Sequence, residues 1–118
     1  MTVNRTALAL AAIAAVLATT QAQAHARLVS ASPASNSTSA APKQIVLKFG
    51  ERLQPRFSAF DVSRDGARVP MASAVGKDRQ SLTATPAKPL APGAYKVAWH
   101  AVTADTHRMQ GSYSFTVR

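Results

Sequence analysis

The strongest constraint on the fold is a two-residue alternation near the end of the chain. In Tyr95-Lys96-Val97-Ala98-Trp99-His100-Ala101-Val102, the positions Tyr95, Val97, Trp99 and Ala101 share one parity. A strand sends successive side chains to opposite faces, so this period puts all four on one face. Tyr113, Phe115 and Val117 repeat the pattern within Ser112–Val117, as do Ile45, Leu47 and Phe49 within Gln44–Phe49. Weaker strand signals cover Ala26–Ala31, Phe57–Ser63, Val69–Val75 and Ser81–Thr85. Turn chemistry separates them: Ser32 to Ser39, Gly50 to Pro55, the Asp65-Gly66 pair within Arg64–Ala67, and Pro86, Pro89 and Pro92-Gly93. No strong helix pattern, internal repeat or second domain is present. About seven short strands punctuated this way predict an all-β, immunoglobulin-like Greek-key sandwich or barrel.

The first residues follow a different logic. Arg5 gives a short basic start, Ala7 to Ala18 is unbroken Ala, Leu, Ile and Val, and Ala22-Gln23-Ala24 is a small-x-small cleavage pattern. Together these predict a signal peptide over residues 1–24. The apolar run is shorter than the ~20 residues that span a bilayer. Cleavage after Ala24 would export a domain of residues 25–118 that begins at His25.

The 118 residues hold 14 Lys and Arg against 5 Asp and Glu, and only Arg5 would leave with the leader. The charges are dispersed, with no run of five like charges and few aromatics interleaved to stack on bases. Nucleic acid is therefore not the expected partner. A basic surface of this kind suits water, anionic lipid or an acidic partner. With no cysteine, the exported domain has neither disulfides nor thiolate ligands.

Enzymatic hydrolysis has no foothold. The five carboxylates, Glu51, Asp61, Asp65, Asp78 and Asp105, show no acid–base spacing, and neither a G-x-S-x-G elbow nor a Gly-rich phosphate loop occurs. The three histidines say more. His25 at a processed N-terminus would offer an α-amine beside its imidazole, which together close one chelate ring. Asp105-Thr106-His107 adds a carboxylate and an imidazole two residues apart, on one side of an extended segment. One amine, two imidazoles and one carboxylate form an N₃O set, and tetragonal N,O coordination suits Cu(II). His100 lies on the strand face away from Trp99 and reads as a surface residue or a support to the site. Glu51 follows a strand end and is a candidate axial carboxylate or a solvated charge. Met71 and Met109 do not cluster, so a thioether site for Cu(I) is not expected.

These residues resemble the CopC family of periplasmic copper-binding proteins. The resemblance spans the mature domain. It is carried by His25-Ala26-Arg27-Leu28-Val29-Ser30-Ala31-Ser32-Pro33, by Pro42 to Glu51, and above all by Pro92-Gly93-Ala94-Tyr95 through Trp99-His100, Asp105-Thr106-His107 and Gly111-Ser112-Tyr113-Ser114-Phe115. It implies a Greek-key β-barrel or sandwich binding one Cu(II) ion through His25, Asp105 and His107, with Glu51 near the metal in some members. It also implies a periplasmic carrier or buffer, not an enzyme, working as a monomer with an inner-membrane CopD-like partner. Members with a Cu(I) site carry a Met-rich loop where this chain has Pro70-Met71-Ala72-Ser73-Ala74-Val75. Two other readings use the same residues: a copper oxidase or oxygenase built on a histidine brace, and an immunoglobulin-like interaction domain without metal.

Overall fold

A computed structural model describes residues 28–118. Among the described residues, nine strands make two sheets: β1 (Leu28–Ser32), β2 (Thr38–Ser39), β3 (Ile45–Phe49), β4 (Ala59–Arg64), β5 (Ala67–Arg68), β6 (Met71–Val75), β7 (Ser81–Pro86), β8 (Gly93–Val102) and β9 (Arg108–Val117). One sheet has the order β1-β3-β7-β6, the other β2-β9-β8-β4-β5. The chain crosses from one sheet to the other after β1, β2, β3, β5 and β7. The result is an all-β, immunoglobulin-like sandwich.

The alternation does what a buried sheet face requires. Ile45, Leu47, Phe49, Leu82 and Ala84 line the inner face of the first sheet. Phe60, Val62, Tyr95, Val97, Trp99, Ala101, Tyr113, Phe115 and Val117 line that of the second. Leu53 and Leu90 close the core outside the strands. Aromatic rings meet both between the sheets and within one of them. Phe49 meets Trp99 edge-on at 5.1 Å, and Tyr95 stacks on Phe115 at 5.3 Å. Gly111 pairs with Trp99 across β8 and β9. A Cβ there would lie 2.6 Å from the indole ring, so the glycine is what lets the ring seat.

Several boundaries differ from the sequence reading. The strand expected from Phe57 begins at Ala59, because Pro55 opens a 3₁₀ turn over Pro55–Phe57 that leaves Phe57 exposed. Residues 32–39, expected to be loop throughout, include β2, which pairs parallel with the end of β9. Arg64 and Ala67, assigned to a turn, are paired residues of the β4–β5 hairpin, and only Asp65-Gly66 turns. The strand expected from Val69 begins at Met71. The last strand starts at Arg108 rather than Ser112, so the final hairpin is longer than its apolar pattern. Ala26 and Arg27, the expected start of the first strand, lie outside the described residues.

Candidate metal site

The β8–β9 hairpin places the candidate ligands. Its connection, residues 103–107, is closed by backbone bonds. Thr103 N–H donates to His107 C=O at 2.9 Å, and Thr106 N–H donates to Thr103 C=O at 2.9 Å. Thr106 takes φ +73°, unusual for a β-branched residue and costing on the order of 1–3 kcal/mol. Such a conformation persists where neighbouring bonds over-determine it, and here it turns the chain between Asp105 and His107.

The buried Thr103 organises the pair. Its hydroxyl donates to Asp105 Oδ1 and accepts the backbone N–H of His107 at 3.0 Å. The other carboxylate oxygen, Oδ2, lies 3.1 Å from His107 Nδ1. The Thr103 bond first, and the His107 bond second, hold the Asp105 carboxyl below the usual aspartate range. When Nδ1 carries the proton toward the carboxylate, Nε2 keeps its lone pair and both side chains face solvent. A carboxylate has about four lone-pair sites, so two accepted bonds leave Asp105 able to bind a cation. This is the chemistry of a metal-binding imidazole with an oriented carboxylate beside it.

A second segment is stitched to this turn. Leu53 bridges Thr103, Ala104 N–H donates to Arg52 C=O at 2.9 Å, and Gln54 Nε2 donates to Thr103 C=O at 2.9 Å. Glu51 therefore sits next to a residue bonded to the turn, half-buried two residues past the end of β3. His100 stands apart. It pairs with Ala59 and Gln110 and is exposed on the outer face of β8. Among the described residues, no three His, Asp or Glu side chains gather closely enough to hold one ion. The structure thus brings Asp105 and His107 together and leaves Glu51 and His100 outside that pair. His25 lies outside the described residues. Leu28, where they begin, pairs with Phe49 at the same end of the sandwich.

Sequence reasoning missed Thr103. Its only signal is a hydroxyl residue at a strand end, two positions before the aspartate, where it can bond both the carboxylate and the backbone of the hairpin.

Fold and site together define a small β-sandwich with an oxygen- and nitrogen-donor pair at one end. Residues 28–118 match the CopC domain family, and the chain belongs to that family. It is 39% identical over its whole length to all of Copper resistance protein C of Pseudomonas syringae pv. tomato. Among solved structures it is similar to PcoC, a methionine-rich copper resistance protein from Escherichia coli. That match has 39% identity and TM-score 0.73, and covers 80% of this chain and 100% of that one. It is likewise similar to CopC from Methylosinus trichosporium OB3b, at 33% identity and TM-score 0.70, covering 79% and 93% of the two chains.

Proposed function

We propose that this protein is a periplasmic Cu(II) carrier or buffer that serves copper resistance by binding rather than by catalysis. In this reading residues 1–24 are a cleaved signal peptide. The freed N-terminus of His25 supplies an amine and an imidazole, and Asp105 and His107 complete one site per chain. A CopD-like inner-membrane protein would exchange the ion with the monomer.

One observation carries the reading: the Asp105–His107 pair stands at the end of the sandwich where the chain enters β1 at Leu28. Only Ala26 and Arg27 separate Leu28 from His25, and an extended chain spans up to ~3.6 Å per residue. A pair with two donors needs such a supplement to become a tetragonal site. The methionines favour Cu(II) over Cu(I). Met71 and Met109 both pack against the core, on different sheets. Asp105 argues against the oxygenase reading, since its carboxylate would fill a position such chemistry keeps open.

The test is a Cu(II) titration, with visible absorption and electron paramagnetic resonance, of protein beginning at His25 and of protein with one added residue before it. The extension is expected to weaken binding and change the spectra. Equal tight binding with equal spectra would overturn the proposed ligand set.

A further inference from the structure

Beside the metal-site turn, the outer face of the five-stranded sheet holds a cleft of about 730 Å³. Gln54, Arg56 and Phe57 form one wall, and His100, Arg108 and Gln110 supply much of the rest. Three features mark it as a docking surface. Phe57 is 56% exposed, one of two large apolar side chains so exposed among the described residues. The 3₁₀ turn under it fixes that ring beside β8, and interface anchors are typically aromatic and arginine residues on a rigid support. The lining is cationic: Arg56 and Arg108 face the cleft, and no Asp or Glu lines it. Finally, Thr106, the residue between Asp105 and His107, also lines it. A segment seated there would lie against the turn that carries the candidate ligands.

We infer that this cleft docks an acidic segment with an apolar anchor, belonging to the protein that exchanges copper with this one. Phe57 would pack against the anchor, while Arg56 and Arg108 meet the carboxylates and steer the encounter. The role of that partner rests on the copper reading above; the acidic-segment groove itself does not.

The test uses isotope-labelled protein beginning at His25 and three probes: a glutamate–leucine peptide, a lysine–leucine peptide of equal length, and vesicles rich in anionic lipid. The acidic peptide is expected to shift amide resonances of Gln54–Phe57, His100 and Thr106–Gln110, with binding that weakens as salt rises. Combined Arg56→Glu and Arg108→Glu reversal should weaken it by at least about tenfold, and Phe57→Ser by a few-fold to tenfold. Phe57 is exposed, so its loss leaves the core intact. Unchanged peptide binding in the reversed variant, or an equal response to the lysine peptide, would overturn the inference. Vesicle binding without peptide binding would do the same and assign the surface to membrane. Normal copper uptake with no peptide response would remove only the docking surface. Peptide binding without copper uptake would remove only the copper reading.

Discussion

The two ends of the sandwich carry different chemistry. At the end bearing residues 103–107, a carboxylate and an imidazole are bonded directly to one another, with Thr103 holding the carboxylate and the His107 backbone, and both leave lone pairs facing water. At the other end, Arg64, Asp65, Arg68 and Lys88 line a cleft of about 600 Å³ together with Leu90 and Tyr95. There the Arg64 guanidinium lies 6.0 Å above the Tyr95 ring, and the Tyr95 hydroxyl donates to Ala91 C=O at 2.6 Å. Guanidinium and ammonium groups have only donors. That end can attract anions; among the described residues lining its cleft, Asp65 is the one carboxylate and none is an imidazole. A carboxylate on a short hairpin is therefore not enough for a candidate metal site; what distinguishes residues 103–107 is an imidazole held beside the carboxylate.

The largest expected effect breaks the comparison directly. His107→Ala should lower Cu(II) affinity by more than about 100-fold, beyond the range usual for losing an outer support of a ligand. Arg64→Ala, at the far end, should leave it unchanged. Competition titrations against a chelator of known affinity read both. A fall of similar size in the two variants would mean that the ends are coupled and the contrast is false.

Gly93→Ala tests what holds the far end. Gly93 has φ +149°, and a Cβ there would lie 2.7 Å from Arg64 Nε. The substitution should cost about 1–3 kcal/mol in urea unfolding with copper affinity retained. Thr103→Val is the counterpart at the site. It keeps the shape but removes the hydroxyl that joins Asp105 to the His107 backbone. It should cost about 1–2 kcal/mol and weaken copper binding by roughly tenfold. Loss of stability with unaltered copper affinity would show that Thr103 holds the hairpin and not the ligands.

The smallest effect concerns the core common to both ends. Tyr113 keeps its hydroxyl buried without a hydrogen-bond partner among the described residues, and desolvation pushes its pKa from 10.0 up to about 12. A folded-state value above the unfolded one adds stability that is complete below pH 10 and is lost as pH rises toward 12. Tyr113→Phe should be neutral or slightly stabilising at pH 7, by about 0–1 kcal/mol, and should lessen alkaline unfolding, followed by circular dichroism.

Much of this architecture is legible in the sequence because a buried sheet face imposes a period. Tyr95 through Ala101 and Tyr113 through Val117 alternate without a break. Where backbone alone makes the contact, no period exists to read. Thr38–Ser39 become a strand because Thr116 N–H donates to Ser37 C=O and Arg118 N–H to Ser39 C=O. The first half of β9 escaped because Gly111 looks like a break in sequence, and only the indole opposite it explains the glycine. At the site, the Asp-x-His spacing was visible. Thr103 was not, since a threonine at a strand end has many ordinary uses and its bond partners are set by the turn. Phe57 shows the converse: an apolar residue next to a strand, which Pro55 turns outward.

Trp99 has a practical consequence. It is the chain's single tryptophan, wedged between the edge of Phe49 and the bare backbone of Gly111, on the strand that runs into Thr103. Its emission therefore comes from one rigid, apolar place inside the molecule. Cu(II) is paramagnetic and quenches nearby indoles, whereas water entering the core moves emission to longer wavelength. If copper binds as proposed, the protein carries its own optical gauge with two separable readings: dimming at constant colour when the ion reaches the hairpin, and a red shift when the sandwich comes apart.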